Sequence, residues 1–179
     1  MRFFFTADQH FGHANIIKFC NRPFSSVSEM DDEIIKRHNE VVGDNDVVIH
    51  AGDFTLHNST SYVYKKYINK LKGDNIFLQG SHDKWTKSTV FKNNYIWQKN
   101  IEGQYVVVCH YAMRVWPRSH YNSWQLYGHS HGGLPPQGKQ WDIGVDNNNF
   151  YPVSFEQISE IMKNRPNNFN LVEGGDKKC

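Results

Sequence analysis

The chain has 179 residues, 39% of them hydrophobic and 21% charged, with a formal net charge of +2 at pH 7. That balance fits one ordinary globular domain with enough bulk to bury a real core. No stretch approaches membrane-spanning length, and the absence of a long Lys/Arg block disfavours a strongly nucleic-acid-binding surface while leaving a small anionic substrate open. The apolar run at Phe3-Phe4-Phe5 is too short for a signal peptide. Cys20, Cys109 and Cys179 are irregularly placed, and Cys109 ends an apolar run, so it reads as a buried free thiol. A reducing cytoplasm is therefore the expected compartment, with no membrane attachment.

Strand-like and helical hydrophobic patterns alternate along the chain, the mark of an α/β domain. Phe3-Phe4-Phe5 predicts a first strand, and Ala14 to Phe19 a short helix before the break at Asn21-Arg22-Pro23-Phe24. Ser26 with Glu29 three residues on is a capping box. The helix it opens puts Met30, Ile34, His38 and Val41 on one stripe and stops at Gly43. Val47-Val48-Ile49 reads as a buried strand. Residues 61–71 carry Tyr64, Tyr67, Ile68 and Leu71 at helical spacing, Gly73 ends that helix, and 75–79 is the next strand. The second half is richer in β structure, with strand-like runs near 94–98, 105–109, 124–127 and 141–145. Ser154 and Gln157 form a second capping box, opening a last helix through about Lys163 with Phe155, Ile158 and Met162 inward. This gives a single domain over 1–163 and a polar tail over 164–179, which is expected to be loosely held.

Short polar clusters follow these apolar runs: Asp8-Gln9-His10, Gly52-Asp53, Gly80-Ser81-His82-Asp83, His110 and Gly128-His129-Ser130-His131. Imidazole nitrogen and carboxylate oxygen are donors for divalent transition ions, and the lack of clustered cysteines excludes a thiolate site. Asp8 and His10 are two apart, so on an extended strand they point to the same side and suit one ion. Asp53 follows a glycine and has room to bridge two ions through its two oxygens. His129 and His131 can each reach a different ion from one loop. His13, His38, His50, His57 and His120 lack such a setting and read as structural or surface residues.

The order D-x-H, G-D, G-N-H-D, H, G-H-x-H resembles the signature of the calcineurin-like metallophosphoesterases, with Ser81 where that family has Asn. The resemblance runs from Asp8 to His131 and implies a two-sheet β-sandwich flanked by helices, in four layers α/β/β/α, with the metals at strand C-terminal ends. By similarity, one ion takes Asp8, His10, Asp53 and His131, and the second takes Asp53, Ser81, His110 and His129. The implied reaction is hydrolysis of a phosphomonoester or phosphodiester by a metal-activated hydroxide. His82 is then the general acid that protonates the departing alkoxide, and Asp83 holds its other ring nitrogen and raises its pKa. The imidazole-rich set favours Mn²⁺, with Ni, Zn, Fe or Mg as alternatives. A serine hydroxyl is shorter and a poorer donor than an asparagine amide, so the second ion is expected to be held more weakly. A catalytically weak metal-binding module is the corresponding alternative.

The metal core fixes the reaction class and leaves the substrate to the loops. Asn15, Arg22, Arg114 and Arg118 are candidate contacts, since arginines fork onto phosphoryl oxygens. Trp85, Tyr111, Trp116 and Tyr121 are candidates for stacking on a nucleobase. Surface ion pairs and core packing are the competing roles for these residues. A nucleotide or another small phosphoester in an open site is the preferred reading, and a nuclease acting on DNA or RNA ends is the alternative.

Overall fold

The first strand, β1 (Phe3–Thr6), shows how one segment feeds two cores in this computed structural model, which describes residues 1–172. Successive side chains on a strand leave opposite faces. Phe3, Phe5 and Ala7 therefore enter a core shared by two sheets, while Phe4 turns the other way onto Val42 and Val48. Val106, Val108 and Leu126 meet the first set from the second sheet.

Helices α1 (Ala14–Phe19) and α2 (Val27–Val41) follow β1, and β2 (Val47–His50) then pairs parallel to it with Phe4 opposite Val48. After α3 (Thr60–Lys66), β3 (Asp74–Phe77) pairs parallel to β2. The second sheet is built in chain order from β4 (Ile96–Ile101), β5 (Gln104–Cys109), β6 (Trp124–Tyr127) and β7 (Gln140–Asp142). Its first pair is an antiparallel hairpin, and the remaining pairs are parallel. The two-residue β8 (Val153–Ser154) returns antiparallel to β1 and leads directly into α4 (Phe155–Lys163). The first sheet thus has the order β3-β2-β1-β8, and the molecule is two mixed sheets flanked by helices.

Helices α1 to α3 cover the outer face of the first sheet through Ile16, Met30, Ile34 and Val63, packed with Phe54, Phe77 and Trp85. Helix α4 sends Phe155, Ile158 and Met162 into the inter-sheet core. The full capping box expected at Ser154 and Gln157 is present. At α2 only half of it forms: Ser26 Oγ accepts from the Glu29 amide, while the Glu29 carboxylate takes the amide of Ser25 instead. The helix expected over 61–71 is broken at Tyr67, whose ring stacks on Phe11 and whose hydroxyl donates to Asp31, and a 3-10 turn over Ile68–Lys70 completes it. The start of the tail is packed rather than loosely held. Asn168 is buried and donates to the carbonyls of Ser119 and Ser123, both at 2.9 Å. The rest of the tail, 173–179, lies outside the described residues.

Cys109 is buried with a free thiol, and Cys20 is half-buried and free. Among the described residues, no helix is long and apolar enough to cross a membrane. A bridge from Ala7 to Gly144 joins the ends of the two sheets, with the Val145 amide donating to the Ala7 carbonyl. The loops that leave the parallel strands β1, β2, β3, β5, β6 and β7 consequently converge at one end of the sandwich.

Candidate metal centre

The converging loops are tied to one another before any side chain is considered. Asp8 and His10 donate their amides to the carbonyls of Gly52 and Asp53, each at 3.0 Å. Asp8, His10, Asp53, His129 and His131 all sit at positive φ, between 48° and 68°. A side chain in that left-handed region costs of order 1–2 kcal/mol, and five of the residues read as ligands carry that strain. Two glycines make the close approach possible. A Cβ on Gly52 (φ +96°) would lie 2.6 Å from the Gly80 nitrogen, and one on Gly80 would lie 2.3 Å from Asp53 Oδ1.

Two candidate ligand groups result at the centre, and a third, Cys20 with His131 and Asp146, overlaps the first at His131. Asp8, His10 and His131 converge as one, and Asp53, His110 and His129 as the other, with the donor atoms of each group within 4.8 Å of one another. Asp53 Oδ2 is the node between them, 3.8 Å from His10 Nε2 and 3.4 Å from His110 Nε2. The His110 tautomer is set from behind, because its Nδ1–H donates to the Ala51 carbonyl at 2.9 Å and leaves Nε2 facing the centre. His131 is set in the same way by Asp146, to which Nδ1–H donates at 2.7 Å.

The donor atoms meet a direct test of fit to a divalent cation. Asp8 Oδ1, His10 Nε2 and His110 Nε2 are fully buried and have no hydrogen-bond partner. Such orphans are costly unless something satisfies them. Burial pushes Asp8 up to about 7 and His10 down to about 3. Burial also raises Asp53, but the His110 ring and the His82 amide outweigh it and hold the carboxyl well below its usual range. An ion at each group would supply the missing partners and favour the ionised carboxylates.

The other expected site residues separate sharply. Ser81 is exposed, and its hydroxyl donates to the Asp53 carboxylate at 3.0 and 3.2 Å. His82 is half-exposed with Nε2 3.9 Å from Asp53 Oδ2, and its backbone amide donates to Asp53 Oδ1. Asp83 does not hold the His82 ring, which corrects its expected role. It is buried, and its oxygens accept from the amides of Asp53, Phe54 and Gly80 and from Trp85 Nε1. Asp83 therefore ties the Asp53 loop to the Gly80 loop.

Arg22 is likewise not a free phosphate fork. Its side chain is fully buried, and its donors are spent on Asp146, on the carbonyls of Asp8 and Gln9 and on Met30 Sδ. Trp85 and Trp116 are buried with their indole N–H groups bonded to Asp83 and to the Ser123 carbonyl, so neither offers a stacking face. Tyr111 is 48% exposed, and its ring meets those of His110 and His129 edge-on at 4.8 and 4.7 Å. Tyr121 is exposed against His120, Arg114 lies over Phe169, and Arg118 lies over Tyr105. Asn15 is exposed on α1, two residues past His13, and the His13 ring lies 5.4 Å from that of His10. Asp146 was not anticipated, although it follows the strand-like run 141–145 just as the other clusters follow theirs.

The sequence profile of the calcineurin-like phosphoesterases matches residues 1–176. An uncharacterized protein of the archaeon Methanocaldococcus jannaschii is 31% identical over 173 residues, covering 90% of this chain and 92% of its own. The crystal structure of a protein of unknown function from Aquifex aeolicus superposes with a TM-score of 0.70 at 22% identity, covering 89% of this chain and 98% of that one, which is a likeness of fold. With the profile spanning nearly the whole chain and the paired His/Asp groups at its centre, the chain belongs to the calcineurin-like phosphoesterase family.

Proposed function

We propose that this chain is a binuclear metal-dependent phosphoesterase that hydrolyses a small phosphomonoester or phosphodiester, with a nucleotide as the preferred substrate class and the cytoplasm as its compartment. The observation that carries this reading is the position of Asp53 Oδ2 between two histidine-bearing ligand groups. Asp8, His10, Asp53 and His131 would hold one ion, and Asp53, His110 and His129 a second with Ser81 beside it. Two divalent ions there would polarise the phosphoryl oxygens and lower the pKa of a bound water toward neutrality. Four imidazoles among the donors favour Mn²⁺ or a similar transition ion over Mg²⁺, which prefers oxygen ligands.

This chain's own residues supply the remaining tasks. His82 is half-exposed beside the shared carboxylate and carries no second partner on its ring among the described residues, so it is free to give a proton to the leaving alkoxide. Tyr111 is half-exposed beside His110 and His129 and is the aromatic on which the base of a nucleotide would stack. The free thiols of Cys20 and Cys109 agree with a reducing compartment.

The test is a panel of nucleotides, cyclic nucleotides, nitrophenyl esters and alkyl phosphates, run on metal-stripped protein resupplied with Mn²⁺, Ni²⁺, Zn²⁺ or Mg²⁺. Hydrolysis that requires an added transition ion, fastest on base-bearing substrates, is expected. Hydrolysis of none of these with any ion would overturn the proposal.

A further inference from the structure

We infer that Arg22 and Asp146 are positioning residues that set the affinity of one ligand group, Asp8–His10–His131, and reach the Asp53–His110–His129 group only at second hand, through the His129 amide on Asp8 Oδ2 and the His10 amide on the Asp53 carbonyl. The inference rests on the metal-centre reading above.

The chain is steered to bring Arg22 there. Asn21 adopts a left-handed φ of 49° after α1, and the Arg22 amide donates back to the Ile17 carbonyl at 2.8 Å. The guanidinium then lies under the first metal loop with every N–H engaged. Nε and Nη2 form a fork onto Asp146 at 2.7 and 2.8 Å. Nη2 also donates to the Asp8 carbonyl at 2.7 Å, and Nη1 to the Gln9 carbonyl at 2.9 Å and to Met30 Sδ. One side chain therefore fixes the backbone that carries Asp8 and His10, together with the carboxylate that orients His131.

Charge and geometry both make the pair one-sided. A buried guanidinium beside a divalent cation is repulsive unless neutralised, and Asp146 neutralises it. Asp146 Oδ2 also accepts a hydrogen bond from His131 Nδ1–H at 2.7 Å, which leaves Nε2 free to face an ion and makes it a stronger donor. In the second group, His110 is oriented by the Ala51 carbonyl, and among the described residues neither Arg22 nor Asp146 bonds to Asp53, His110 or His129. Lysine cannot reproduce the fork, so the arginine is required for its shape as well as its charge.

The experiment is an Mn²⁺ titration of the metal-free full chain by calorimetry, paired with electron paramagnetic resonance of the loaded protein, for wild type, Asp146→Asn and Arg22→Lys. In Asp146→Asn one site should weaken by about 10–100-fold, the usual cost of losing such a histidine partner, while the other keeps its affinity. The exchange-coupled signal of an Mn pair should then give way to a single-ion signal at limiting metal. Arg22→Lys should show the same one-sided loss. If Arg22→Lys does not fold, Asp146→Asn decides alone, because the amide keeps the size of the side chain and calorimetric unfolding reports its fold. Both sites weakening together, or neither, would overturn the inference. A wild type that fails to bind a pair of ions would instead refute the metal-centre reading beneath it.

Discussion

Asp83→Ala separates two accounts of the G-S-H-D loop. The resemblance gives Asp83 a task beside His82, whereas the structure makes it the clamp between two ligand loops. Its Oδ2 accepts from Asp53 N at 2.6 Å and Gly80 N at 2.9 Å, and its Oδ1 from Phe54 N at 2.9 Å and Trp85 Nε1 at 3.0 Å. Truncation strands four buried donors, namely the amides of Asp53, Phe54 and Thr55 and the Trp85 indole N–H, besides the part-buried Gly80 amide. A buried donor left without a partner costs about 1–3 kcal/mol, so even at the lower bound the loss is roughly 4 kcal/mol. For a domain of this size that lowers the melting temperature by on the order of 8–16 °C. Asp83→Asn keeps one acceptor oxygen and turns an NH₂ toward the other donors, so it should fall between the two. Because the left-handed Asp53 depends on this clamp, bound metal should be lost along with stability. Differential scanning calorimetry of the metal-free protein, with elemental analysis after metal loading, measures both. Unchanged melting and metal content, with only a displaced pH–rate profile, would show that Asp83 acts through His82 and that the clamp argument is wrong.

His82→Ala should slow turnover by about 10²–10⁴-fold with metal content intact, and less so for a nitrophenolate leaving group; loss of an ion would make His82 a ligand instead. Ser81→Asn, at a position now bonded to the Asp53 carboxylate, should tighten the second ion and raise activity at limiting metal. Identical metal titrations for the two proteins would mean that residue 81 has no bearing on metal binding. Burial pushes His38 down to about 4, against a backbone bond to the Lys72 carbonyl that acts the other way. Because its folded pKa lies below the unfolded value of about 6.5, its contribution is full above that pH and is lost as pH falls toward 4, by up to about 1.4 kcal/mol per unit. The stability of wild type relative to His38→Gln should therefore decline over that window in urea titrations, and parallel curves would refute the assignment.

The convergence of Asp8, His10, Asp53, His110, His129 and His131 was legible because each is a metal-donor residue type placed just after an apolar run, a local signal. The roles of Asp83 and Arg22 were not, because both depend on burial and on distant partners. Arg22 meets Asp146 across 124 positions of sequence, and Asp83 meets Phe54 across 29. A buried arginine and a phosphate-binding arginine look alike in sequence. Asp146 follows an apolar run as the other clusters do, but no histidine stands beside it in sequence, and its partners Arg22 and His131 are brought to it only by the fold. In the fold, β8 escaped notice because two residues carry no readable alternation, and its pairing comes entirely from β1. The packed start of the tail was missed because Asn168 is polar, and its burial depends on carbonyls of the 119–123 segment.

The central claim is a pair of ions that share Asp53, and metal stoichiometry tests it most directly. Protein stripped by chelation should lose activity, regain it with Mn²⁺, and hold two ions per chain by elemental analysis. Asp53→Ala should lose both ions, since its carboxylate stands between the two groups, whereas His10→Ala and His129→Ala should each lose one. A wild type that is fully active when free of metal, or an Asp53→Ala variant that retains both ions, would contradict the account.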